Sequence, residues 1–156
     1  MNWLDFSGAP AMLIPERTAR SWAGVGDADW CDYNRACALA WPGLGIIQVA
    51  DSTGFVFYSE SDIHTWVAEA EMYASGGWIP SRLALDEAAW EDKVQWEAVE
   101  ENYLLVNSAE DLRRGIPETE SISVRLSRSV YCVEYCHIAD EYLGQFSRLR
   151  RVISEA

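Results

Sequence analysis

Apolar residues in this chain fall in short runs broken by Gly, Pro, Asp and Ser, a pattern of strands and tight turns more than of long helices. Residues 2–6 predict a strand, Ser7-Gly8-Ala9-Pro10 a turn, and 11–14 a second, apolar strand. Pro15 then opens a helical turn with Glu16 at its start and Trp22 on its buried side, ended by Gly24 and Gly26. Asp32 caps a short helix carrying Tyr33, Ala36 and Cys37. Residues 43–50 are apolar with β-branched members and read as a buried strand. Asp51-Ser52-Thr53-Gly54 is the turn after it, and 55–59 the returning strand.

The stretch 62–85 supports two readings. Ile63, Trp66, Val67, Ala70 and Tyr73 recur at helical spacing, with Gly76 as a stop, and its Ala and Glu content suits a helix. His64, Trp66, Ala68, Ala70 and Met72 also alternate with Thr65, Glu69 and Glu71, which suits a hairpin turning at Gly76-Gly77 into a strand over 78–85. Asp86 caps a helix through Glu87 and Trp90. Residues 94–99 form a strand with Val94, Trp96 and Ala98 on one face; Glu100-Glu101-Asn102 is a turn, and 103–106 pairs back. Ser108 caps a short helix ending near Gly115, with Glu110 and Asp111 in its first turn. Strands over 122–126, 130–138 and 142–152 follow. No repeat and no linker divides the chain. The expectation is one α+β, mostly β domain over 1–156, with about ten short, largely antiparallel strands and two or three short helices.

Composition agrees: at 156 residues, 49% hydrophobic and 12% aromatic, the chain is not disordered and needs no metal or disulfide to hold a core. Charge adds more. With 25 acidic and 12 basic residues, the net charge is -13. Such a surface repels phosphate backbones and anionic membranes and attracts a basic protein, so neither nucleic acid nor membrane is an expected partner. The charge is also local. Between Glu60 and Glu101 there are eleven acids and two bases, a net of -9, while 121–156 carries four acids and five Arg, a net of +1. Trp66, Trp78, Trp90 and Trp96 share the acidic stretch. An acidic face can serve solubility alone, or docking of a cationic partner.

Little points to catalysis. His64 and His137 are the only imidazoles, and neither lies in a nucleophile elbow, phosphate loop, dinucleotide fingerprint or zinc-protease motif. Pairing either with Cys37 or Cys132 as base and nucleophile needs a proximity that spacing does not supply. Cys31, Cys37, Cys132 and Cys136 form no CxxC pair, and two strand residues four apart sit about 13 Å from each other, too far to share one ion. No metal and no cofactor are expected; the cysteines read as small apolar filler. The first eight residues lack the basic and apolar regions of a secretory signal, and no apolar run is long enough to span a membrane, so a cytoplasmic setting with reduced thiols is expected.

Several features, taken in order, carry a family resemblance. They are the Trp3 strand, Ser7-Gly8-Ala9-Pro10, the strand closed by Leu13 to Pro15, Trp22, and Asp32-Tyr33-Asn34-Arg35-Ala36-Cys37. Leu44-Gly45-Ile46-Ile47-Gln48-Val49, Tyr58, Thr65-Trp66 and Gly76-Gly77 follow. In this order the sequence resembles the immunity protein 21 family of bacterial polymorphic toxin systems. It departs from the family pattern at Ala9, where a second Gly is common, and in the acidic, insert-like 86–92. The resemblance implies a mostly β fold, which favours the hairpin reading of 62–85, and an intracellular protein encoded beside a toxin domain that it binds and neutralises.

On that premise the partner is a basic, nuclease-type toxin whose active site is occluded. The candidate partner-binding residues are Trp78 and Trp90 as aromatic anchors and Glu87, Glu91, Asp92, Glu100 and Glu101 as steering carboxylates. Asp32-Tyr33-Asn34-Arg35 reads instead as a fold-defining turn with Arg35 paired to a carboxylate. Two other readings compete: an acidic scaffold or regulatory module unrelated to toxins, and a small enzyme that reverses a toxin's modification.

Overall fold

In the computed structural model, residues 2–4, 10–26, 31–40, 44–57, 63–68, 71–76, 91–118, 121–138 and 144–151 are described. The strands are β1 (Asn2–Leu4), β2 (Ala11–Pro15), β3 (Leu44–Val49), β4 (Ser52–Phe57), β5 (Ile63–Ala68), β6 (Glu71–Gly76), β7 (Glu91–Ala98), β8 (Asn102–Asn107), β9 (Ser121–Arg125), β10 (Ser129–Ile138) and β11 (Gly144–Arg151). The helices are α1 (Glu16–Ala19) and α2 (Asp32–Ala40), with a 3-10 turn at Leu112–Arg114. All pairings among the described residues are antiparallel, in a six-stranded sheet of order β1-β5-β6-β11-β10-β7 and a five-stranded sheet of order β3-β4-β2-β8-β9. The protein is α+β and mostly β, as its sequence predicts.

Burial along each strand reports its place. β9 alternates, with Ile122 and Val124 buried and Ser123 and Arg125 exposed, as an edge strand with one wet face does. β2 is buried throughout, and β8 throughout after Asn102, because both lie inside the five-stranded sheet with both faces covered. One face carries Ala11, Leu13, Phe55, Tyr103 and Leu105 against Trp96, Tyr131 and Val133 of the other sheet. The other face carries Met12, Ile14, Val56, Leu104 and Val106 against Trp22, Ala36, Ala40 and Leu112 of the helical layer. Trp96 is the keystone between the sheets. Its ring centroid lies 5.5 Å from Phe55, 5.3 Å from Tyr103 and 6.2 Å from Tyr131, and its indole N–H donates to Thr53 Oγ1 at 3.2 Å.

Several local expectations are corrected. The β3–β4 turn is the pair Ala50-Asp51, since Val49 already pairs with Ser52, and Ala50 takes a left-handed φ of 53°. Gly54 therefore lies inside β4. A Cβ there would sit 2.1 Å from the Leu13 carbonyl oxygen, so close strand approach, not turning, requires this glycine. The β alternative for 62–85 holds over Ile63 to Gly76, but as a hairpin of its own, since Ala68 pairs with Glu71 and the chain already reverses between them; the turn expected at Gly76-Gly77 extends outside the described residues. Pairing with β1 on one side and β11 on the other overrides the local helical preference. The expected strand over 78–85 and the helix capped by Asp86 lie outside the described residues. β8 does not pair back on β7: it pairs with β2 and β9, and the chain changes sheets after Ala98. Asp111, not Ser108, caps the 3-10 turn, its carboxylate accepting from the Arg113 backbone N–H at 3.1 Å.

Candidate functional site

The sheet change after Ala98 gathers several connections at one end of the two sheets. Pro15 pairs with Tyr103, Asn102 with Arg125, Val49 with Ser52, and Ser129 with Ala98. The β2–α1 junction, the Ala50-Asp51 turn, residues 99–101 and residues 126–128 therefore meet there. An open groove of about 490 Å³ runs between them, lined by Glu16, Arg17, Glu100, Glu101, Asn102 and Arg128.

Arg17 organises this end. Its Nη2 lies 2.9 Å from Asp51 Oδ1, and its Nε donates to Glu100 Oε1, so one guanidinium ties the β3–β4 turn to the β7–β8 connection. Hydrogen bonds to these two carboxylates raise the Arg17 guanidinium above its usual pKa, and the same contact holds the Asp51 carboxyl below the usual carboxylate range. Glu101 Oε2 lies 3.6 Å from Arg125 Nη2, and the Glu101 carbonyl accepts the Leu126 N–H at 2.9 Å. Exposed pairs of this kind add little stability. Their effect is to fix the loops relative to one another.

The Asp32-to-Arg35 stretch serves the fold, as expected. Asp32 Oδ2 accepts the Ala23 N–H at 2.8 Å, and Asp32 Oδ1 faces Arg35 Nη2 at 3.4 Å. Arg35 Nη1 donates to the Gln48 carbonyl at 2.6 Å, and its guanidinium lies over the Trp22 ring at 5.3 Å. Together they dock α2 on β3 and on the 22–24 segment.

Of the expected partner-binding residues, four are described, and they fall in two separate places. Glu100 and Glu101 line the groove, where Arg17 and Arg125 already engage them. Glu91 and Asp92 begin β7, in register with Tyr135 and Glu134. The six strand steps from Asp92 to Ala98 separate them from the groove by about 20 Å. Trp78, Glu87 and Trp90 lie outside the described residues.

Sequence reasoning missed Arg17, Arg125 and Arg128, whose positions at this end depend on long-range pairing. It also missed Val99 and Val130, which are 54% and 38% exposed. Their signal is phase. Val94, Trp96 and Ala98 face the core, so Val99 falls on the outward phase; Tyr131 and Val133 face it, so Val130 does too.

Among the described residues, no group of three or more His, Cys, Asp or Glu side chains could hold a metal ion, and no helix is long and apolar enough to cross a membrane. A family model described as Immunity protein 21 matches residues 2–142. No curated protein and no solved structure matches the chain.

Proposed function

The chain belongs to the immunity protein 21 family, and from that premise we propose that it neutralises a basic, nuclease-type toxin domain by occluding its active site. An immunity protein binds a cognate toxin. The basic character of that toxin is supported by the net charge of -9 between Glu60 and Glu101, within a chain of net -13. A phosphate-cleaving enzyme keeps a cationic cleft for its substrate, and an acidic surface competes for that cleft and speeds encounter. In this reading Glu87, Glu91 and Asp92 steer the approach, and Trp78 and Trp90 supply anchoring surface. The protein acts in the cytoplasm as a stoichiometric inhibitor and turns nothing over.

The test is co-expression with the toxin domain encoded by the neighbouring gene, with binding measured on the purified pair. Growth rescue at one immunity protein per toxin and a micromolar or tighter complex are expected; no rescue and no complex refute the reading. Rescue at a small fraction of the toxin's concentration would show an enzyme instead. Charge reversal at Glu87, Glu91 and Asp92 together is expected to slow association about tenfold at low salt and to flatten its salt dependence. Association rates unchanged across salt would remove the steering role.

A further inference from the structure

We propose that the corner formed by Val99 and Val130, where the outer face of the six-stranded sheet meets the groove, seats an apolar anchor side chain of the toxin flanked by Lys or Arg. This inference rests on the toxin-binding reading and adds where the toxin sits.

Register supplies the first argument. Val130 pairs with Glu97, and Cys132 with Gln95, on the face of the six-stranded sheet turned away from the core. Val99 follows Ala98 and Val130 follows Ser129, and Ala98 pairs with Ser129, so both valines adjoin the same pair at the end of β7. They are two of the three large hydrophobic residues most exposed among the described residues.

Burial along β10 supplies the second. On this outer face, exposure falls from 38% at Val130, through a half-buried Cys132, to 1% at Glu134. The Val130 end is the open one.

The surroundings supply the third. Val130 is in register with exposed Glu97, and the valines stand one or two positions along the chain from Glu100, Glu101 and Arg128, which line the groove. An apolar centre with a charged rim is the arrangement in which a few central side chains carry most of an interface's affinity. The loops are also fixed in advance: Arg17 holds Glu100 to Asp51, and the Leu126 N–H holds Glu101. Little ordering entropy is then lost on binding.

Charge complementarity selects the occupant. Among the described residues Glu16, Glu97 and Arg128 make no ion pair, while Arg17 and Arg125 face Glu100 and Glu101. These four carboxylates outnumber the three guanidiniums, within a chain of net charge -13, so Lys or Arg beside an apolar anchor finds more acceptors than an acidic flank finds donors.

The test uses the full chain and the neighbouring gene's toxin domain carrying an inactivating substitution. Val99→Arg and Val130→Arg are each expected to weaken the complex about 30-fold or more, because each places a long cation where an apolar contact is made. Val25→Arg is the control: Val25 is 60% exposed, and its N–H bonds to the Ala109 carbonyl beyond the far end of β8. It should leave affinity within about twofold. Circular dichroism and a urea midpoint confirm that each variant folds; if an arginine variant does not, Val99→Ser and Val130→Ser replace it, with a loss of about fivefold expected.

Wild-type chain that fails to bind the toxin sinks the toxin reading and this inference together. Wild-type chain that binds, with corner variants binding equally well or Val25→Arg weakened as much, overturns the inference alone. So does wild-type self-association at micromolar concentration that Val130→Arg abolishes while toxin affinity stays unchanged.

Discussion

Gly54→Ala isolates a single steric term. A Cβ at Gly54 would lie 2.1 Å from the Leu13 carbonyl oxygen and 3.0 Å from the Ile14 Cα, both backbone atoms of β2. An ordinary C···O approach is about 3.3 Å, so β2 and β4 must separate by about 1 Å. No side-chain rotation can relieve this. β2 is paired on its other side with β8, and Leu13 and Phe55 both sit in the core between the sheets. The displacement therefore stretches the β2–β4 ladder and loosens close-packed residues on both faces. Overpacking of this kind costs about 1–3 kcal/mol, and weakening of the ladder adds about 1 kcal/mol, for a total of about 3 kcal/mol. In a chain of this length that corresponds to a melting temperature roughly 6–12 °C lower. Urea unfolding followed by far-ultraviolet circular dichroism measures it, with Gly26→Ala as reference, because among the described residues a Cβ there meets only the Cys31 Cβ, at 3.3 Å. If Gly54→Ala lies within about 1 kcal/mol of wild type, the close approach of β2 to β4 is not as described.

Two further outcomes follow from buried and titrating groups. Ser108 is fully buried and its hydroxyl has no hydrogen-bond partner among the described residues, so Ser108→Ala is expected to leave stability unchanged or raise it by up to about 1 kcal/mol in the same urea assay; a loss above about 1 kcal/mol would reveal an unseen partner. Asp111 is lowered to a pKa of about 2 by hydrogen bonds from the Arg113 side chain and backbone N–H. Its depressed value means that its contribution is present above pH 4 and is lost as pH falls towards 2. A carboxyl titration followed by NMR should give that value, and Asp111→Asn should abolish this part of the acid-side loss. A midpoint near 4 would dissolve the cap.

Strand phase was legible because alternation is local: Val94, Trp96 and Ala98 were read as one face and do face the core together. Pairing was not, because it is decided by residues far apart. Nothing near Tyr103 says that its strand leaves Trp96's sheet to lie between β2 and β9; only burial on both faces does. Gly54 looked like a turn glycine because the demand for it comes from Leu13, which the turn signal ignores. The same blindness affected the site. Glu100 and Glu101 read as free steering charges, yet Arg17, 83 residues away, and Arg125 stand against them. What could have been read was the outward phase of Val99 and Val130, two apolar residues where alternation calls for polar ones.

The pairing of β2 with β8 also sets a clock. Ile14 pairs with Leu104, ninety positions later, so the middle of the five-stranded sheet cannot close until Leu104 has been made. At about 5–20 residues per second, the ribosome takes roughly 5–20 s to cover that interval. Long-range antiparallel pairing is itself slow once the partner strand has arrived. The corner at Val99 and the clasp of Arg17 on Glu100 are among the later parts to assemble. If the protein neutralises a toxin as proposed, only chains made past Leu104 and folded present this corner to it.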